Sequence, residues 1–179
     1  MTAISGERKA GREFDAAILR PEMKIHEIKK RGEGLDSKSL KSLRKALRTL
    51  HTLEIMAVNI YKFQISRKQN DLDINLVSAM CNEMTHFQDF QTKLYEYGIS
   101  PGKWRFTYWI AGMAIGFVSK LFGKRAVLKT GIWVERKAVR HYEKIFRAYP
   151  WDSEIGQIIL KDQADEKGHI DRWQRLLSA

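Results

Sequence analysis

The sequence predicts an all-α protein, a four-helix bundle carrying one additional, strongly apolar helix. Three observations lead there. No stretch sustains the two-residue alternation of a strand, whereas apolar residues recur every three or four positions through the longest segments. Only three prolines interrupt 179 residues, so long helices are permitted. With 44% hydrophobic and 30% charged residues, the chain is globular in composition and long enough to bury a core.

Residues 1–33 read as a polar, basic N-terminal arm. Its one apolar stretch, FDAAILRPEMKIHEI, is broken by Pro21, and Gly32 and Gly34 punctuate its end. The helical domain then spans 34–179. Ser37 is placed to cap a first helix reaching about Ser66, with Leu40, Leu43, Leu47, Leu50, Leu53 and Ala57 at helical spacing. RKQND connects it to a second helix from Asp73 to Tyr97, stopped by Gly98 and Pro101. The apolar third helix covers about 104–122 and ends at Gly123. A fourth runs from Lys124 to Tyr149, ahead of Pro150. Asp152 or Ser153 caps a fifth, reaching about Leu177.

The third helix contains FTYWIAGMAIGFVS, uncharged from Phe106 to Ser119. Fourteen residues of helix reach about 21 Å, short of the roughly 30 Å of a bilayer's hydrocarbon core. It is therefore no membrane span. Its aromatic residues and the flanking Arg105, Lys120, Lys124 and Arg125 suit a helix that faces a membrane from one side. The net charge of +11 favours an anionic partner. The third helix assigns that partner to the anionic lipids of a membrane surface, and not to nucleic acid. The expected location is peripheral, on the cytoplasmic face of a membrane.

Cys81 is the sole cysteine, which excludes an internal disulfide and thiolate-rich zinc or iron–sulfur sites, and fits a reducing compartment. The N-terminus lacks the apolar core of a secretory signal.

The chain also carries an internal repeat. EIMAVNIY begins at Glu54 and ERKAVRHY at Glu135, both E-x-x-A-V-x-x-Y. Each is followed, on the next long helix, by a glutamate three residues before a histidine: Glu83 with His86, and Glu166 with His169. Residues three apart share a helix face. Composition alone predicts roughly a third of one such pair, yet two occur, each paired with an upstream glutamate. Leu50, Leu53, Ala57 and Tyr61 share the side of Glu54, and a carboxylate buried among them needs a cation or a proton.

Four glutamates and two histidines from four helices match the dinuclear carboxylate site of ferritin-like bundles. Two Fe(II) ions, or Mn(II) in their place, bring four positive charges, which four carboxylates balance while each imidazole completes one ion's ligand set. In that arrangement Glu83 and Glu166 bridge, Glu54 and Glu135 each hold one ion, and His86 and His169 complete the sets. Tyr61 and Tyr142 lie seven residues after Glu54 and Glu135 and either line the space beside the ions or pack the core. Asp162 and Asp165 are candidates to hydrogen-bond the ligand histidines. His51 and His26 are expected at the surface.

On these residues the sequence resembles the demethoxyubiquinone hydroxylases of ubiquinone biosynthesis, over about residues 40–177. The resemblance rests on the six ligands with Asp165, on VERKAVRHY, where Val134, Val139, His141 and Tyr142 look like that family's fourth-helix motif, and on GMAIGFVSKLFGKRAV. It implies a membrane-bound di-iron monooxygenase that hydroxylates the ring of a polyprenylated benzoquinone with dioxygen and electrons drawn from NADH. It further implies that His141 and Tyr142 lie on the electron path or near the quinone, and that a lipid-binding partner protein can present the substrate. A homo-oligomer is compatible with it. Two rivals are an iron oxidase or peroxidase on the same fold, and a non-catalytic helical module that binds a membrane.

Overall fold

A computed structural model describes residues 25–66, 68 and 70–178. Most of the basic arm, and Arg67 and Gln69 of the first connection, lie outside the described residues. After a short 3-10 turn at Ile25–Glu27 come five α-helices: α1 (Ser37–Gln64), α2 (Asp71–Glu96), α3 (Arg105–Leu121), α4 (Lys124–Ala148) and α5 (Ser153–Ser178). No strand occurs among the described residues.

The helix starts are set by side-chain acceptors. Asp36, not Ser37, caps α1: its Oδ1 accepts from the backbone N–H of Lys38 and Ser39 at 2.9 and 3.0 Å. A carboxylate there satisfies two orphan donors and meets the positive end of the helix dipole. α2 begins at Asp71, two residues before the expected Asp73, because the Asn70 side chain accepts from Asp73 N–H at 2.9 Å. Asp73 is instead buried, taking the N–H and hydroxyl of Ser66. Asp152 caps α5 through the N–H groups of Glu154 and Ile155, both at 3.0 Å.

α1 packs on α2 and α4 on α5, forming two helix hairpins. α3, which joins the two hairpins in sequence, lies along α1. One apolar cluster gathers Leu43, Leu47, Leu50, Phe90, Leu94, Tyr142, Ile155 and Ile159. A second gathers Tyr61, Leu76, Ala79, Val127, Leu128 and Trp173. Along each helix the sequence-predicted ligands fall between these two layers.

α3 reaches α1 through its smallest residues. Gly112, Gly116 and Ser119 are buried, and a Cβ on either glycine would strike the backbone carbonyl of Met56 or Ile60. Its opposite face leaves Phe106, Phe117, Val118, Leu121 and Phe122 exposed. No described helix is long and apolar enough to cross a membrane.

The described part of the arm is tied to the bundle. Arg31 donates from its backbone to the carbonyl of Glu96 at 2.7 Å, and from Nε to the Glu96 carboxylate at 2.7 Å. Lys29, Arg31 and Lys93 converge on Glu154. Hydrogen bonds from Lys29 and Lys93 hold the Glu154 carboxyl down at about 2. An acid depressed on folding contributes stability above its unfolded value of 4.5, and that contribution disappears as pH falls from there toward about 2. Amide-exchange protection at Arg31, corrected for intrinsic rate, is therefore expected at pH 6 and lost by about pH 2 while the helices still protect theirs.

Candidate metal centre

The six sequence-predicted ligands converge. α1 supplies Glu54, α2 supplies Glu83 and His86, α4 supplies Glu135, and α5 supplies Glu166 and His169. All six are buried. Two groups could each hold a metal ion: Glu54, Glu83, His86 and Glu166, and Glu83, Glu135, Glu166 and His169. Ligand atoms within each group lie within 4.8 Å of one another. Glu83 and Glu166 belong to both. His86 Nδ1 is 3.6 Å from Glu83 Oε2 and 3.4 Å from Glu166 Oε1. His169 Nδ1 is 3.1 Å from Glu83 Oε1 and 3.5 Å from Glu166 Oε2.

Most of these separations are longer than good hydrogen bonds. Both oxygens of Glu83, one each of Glu135 and Glu166, and Nδ1 of both histidines are buried with no hydrogen-bond partner. Buried polar atoms are normally paired, and unpaired ones are costly. Here they are lone-pair donors aimed at a common centre. The donor set of carboxylate oxygens and imidazole nitrogens suits Fe(II) or Mn(II), and the chain therefore fits a dinuclear metal group.

The electrostatics show what the protein must do without such charge. Burial, then the charges of Glu83 and Glu166, push the Glu54 carboxyl well above the usual range. Burial and Glu166 do the same to Glu135. Burial disfavours a charged imidazole, but Glu166 and Glu83 outweigh it and raise His86 to about 12. His169 is likewise raised to about 12, by Glu135, Glu166 and Glu83. Protons thus stand in for cations among crowded carboxylates.

Two tyrosines tie the hairpins together. Tyr142 on α4 donates to Glu54 Oε1 on α1 at 2.6 Å, and Tyr61 on α1 donates to Glu135 Oε1 on α4. The reciprocal pairing runs α1 and α4 antiparallel. Tyr142→Phe leaves a buried carboxylate oxygen without its donor, at about 1–3 kcal/mol. Denaturant unfolding of metal-free protein is expected to show a loss of that size, and an unchanged midpoint would remove the bond from the account.

Trp173, which the sequence reading passed over, donates from Nε1 to the Tyr61 hydroxyl at 3.1 Å. Its signal was spacing: an aromatic residue follows each ligand histidine by four, Phe90 after His86 and Trp173 after His169, and Phe90 packs against Tyr142. His86 Nε2 meets Asp165 Oδ2 at 3.0 Å and Asp162 Oδ1 at 3.6 Å. The equivalents of Asp162 and Asp165 in α2 are Ala79 and Asn82, and Asn82 itself donates to Asp165. Carboxylate support is therefore one-sided.

His51, expected at the surface, is buried between α1 and α2, where Nε2 meets Gln91 Oε1 at 2.7 Å. Being one turn before Glu54 placed it on the inward face. His26 is exposed. His141 is exposed, with Nδ1 donating to the Lys137 carbonyl at 2.8 Å. It lines a cavity of about 280 Å³ that reaches Glu54 and Glu166 between Tyr108 and Trp133. Tyr142 does not line that cavity but lies buried behind Glu54.

Residues 41–178 match the family model described as ubiquinone biosynthesis protein COQ7. The chain belongs to this family. Among curated proteins it is similar to the NADPH-dependent 3-demethoxyubiquinone 3-hydroxylase, mitochondrial, of Dictyostelium discoideum, at 29% identity over 133 residues. The match covers 72% of this chain and 61% of that protein's length. The family model takes in all five helices from near the start of α1, and with them every candidate ligand.

Proposed function

We propose that this chain hydroxylates the ring of a polyprenylated benzoquinone, a demethoxyubiquinone-like precursor of ubiquinone, at a di-iron centre on a ferritin-like bundle, using dioxygen and electrons from a reduced nicotinamide dinucleotide. One observation carries the reading: two overlapping sets of buried ligands, five of the six residues presenting an atom with no hydrogen-bond partner, in a chain of the COQ7 family.

Glu83 and Glu166 would bridge the ions, Glu54 with His86 would complete one set, and Glu135 with His169 the other. The metal pair, when bound, supplies dioxygen activation. The chain's own residues do the rest. Tyr142 and Tyr61 each fix one oxygen of Glu54 and Glu135, which orients the other toward the centre. Asp165 holds His86 through Nε2, so that Nδ1 points inward. Leu53, Met56, Ala57 and Ala138 give the entrance cavity an apolar wall, which suits a quinone ring. His141 is held beside this cavity by its Nδ1–H bond to the Lys137 carbonyl, which leaves Nε2 to meet a polar group of the ring. The exposed apolar residues of α3 would rest on an anionic membrane surface, where an isoprenoid tail is soluble. A lipid-binding partner protein could deliver substrate at the same face.

The test pairs composition with product. After anaerobic reconstitution with Fe(II), about two irons per chain are expected, with mass-spectrometric detection of one added oxygen in a demethoxyquinone supplied with dioxygen and reduced dinucleotide. Bound iron without hydroxylated quinone would favour an iron oxidase. No bound iron would end the reading.

A further inference from the structure

We propose that the groove between the N-terminal half of α1 and the Ser100–Trp104 loop binds the diphosphate of a nicotinamide dinucleotide. The proposal rests on the hydroxylase reading, which needs a two-electron donor.

Lys41, Arg44, Lys45 and Arg48 recur at helical spacing, so they form one face of α1. Lys103 joins them from the loop, and together they line a cavity of about 840 Å³ with no acidic residue in its wall. Among the described residues, none of these five cations pairs with a carboxylate. Arg48 is held in place by Ser100, whose carbonyl and Oγ accept from the guanidinium at 2.8 and 3.1 Å.

The isolated chain has reason to avoid this arrangement. Like charges three and four apart on a helix repel. A bound dianion offsets that repulsion, and guanidinium groups match phosphate geometry. Trp104, 73% exposed, and Tyr108 stand beside the cations and offer flat faces to a base or nicotinamide ring. Position supports this occupant over a bare phosphate. Leu53 and Tyr108 line both this groove and the cavity that reaches Glu54 and Glu166. A dinucleotide with its phosphates on the basic face could extend one ring to that shared wall.

The test is fluorescence titration of metal-free, full-length protein with NADH and NADPH, in competition with ADP-ribose, alongside sedimentation with phosphatidylglycerol and phosphatidylcholine vesicles. Saturable binding that ADP-ribose displaces, weakened at least about tenfold in the Arg44→Glu/Lys45→Glu double variant and unchanged in Arg175→Glu, supports the site. Both altered side chains are exposed, and helical circular dichroism checks the fold. Binding untouched by the double variant overturns the proposal. So does a double variant that keeps dinucleotide affinity but loses anionic vesicles, which would make the groove a lipid-headgroup site. Because no metal or quinone is present, dinucleotide binding is scored independently of the hydroxylase reading, which stands or falls on iron content and product.

Discussion

Glu166→Ala is expected to abolish both stoichiometric iron binding and quinone hydroxylation while leaving the helices intact. Glu166 is common to both candidate ligand groups, with one oxygen 3.4 Å from His86 Nδ1 and the other 3.5 Å from His169 Nδ1. Its loss removes a ligand from each ion and one of four negative charges that would balance two divalent cations. In the metal-free protein Glu166 both raises Glu54 and Glu135 and stabilises the charged His86 and His169, so its removal has opposing effects there. The expected signature is iron falling from about two per chain to well below one, turnover lost, and helical circular dichroism like that of the parent. Two retained irons with full turnover would falsify the bridging role. A collapse of the metal-free fold would show that Glu166 is structural instead.

Gly116→Leu is expected to destabilise the protein by about 3 kcal/mol, at the upper end of what overpacking costs. Most overpacked side chains are relieved by a neighbour changing rotamer. Here the neighbour is the carbonyl oxygen of Ile60, fixed in the C-terminal part of α1, with Phe63 Cβ beside it. The only relief is to move α3 off α1. That displacement also shifts Tyr108, which walls both the entrance cavity and the basic groove, so substrate and dinucleotide affinity should weaken while iron content holds. Gly168→Ala is the control. It lies in the interior of α5, is exposed, and has open space where its Cβ would go. The substitution should stabilise by about 0.5–1 kcal/mol through helix propensity. Thermal melts of the two variants moving in the same direction would sink the packing argument.

The helical elements were legible because period and punctuation are local. Leu43, Leu47 and Leu50 announce α1, and Pro101, Gly123 and Pro150 mark where helices end. The N-terminal boundaries were less so. The sequence offers Ser37 beside Asp36 as the cap of α1, and places the start of α2 at Asp73 where the Asn70 cap sets it at Asp71. Only the hydrogen bonds distinguish them.

The six convergent residues were legible for a different reason. Repetition of E-x-x-A-V-x-x-Y and E-x-x-H is improbable by composition, and a carboxylate amid leucines demands a counter-charge wherever it ends up. Thus the chain's local pattern already contains the helices, the two hairpins they imply, and the six side chains that require one another. It could not determine contacts between residues far apart in the chain, since these depend on how the helices dock. The tertiary structure alone decided that Tyr61 serves Glu135 and Tyr142 serves Glu54, across antiparallel α1 and α4. It decided that Trp173 backs only one of these pairs, that Asp165 supports only one histidine, and that His51 is buried. It also set α3 against α1 through two glycines, which brings the cations of α1 and the loop before α3 around one groove. Helical periodicity gives the direction in which a side chain leaves its own helix. What it meets there is fixed by the packing of other helices, through close approaches that no local pattern encodes.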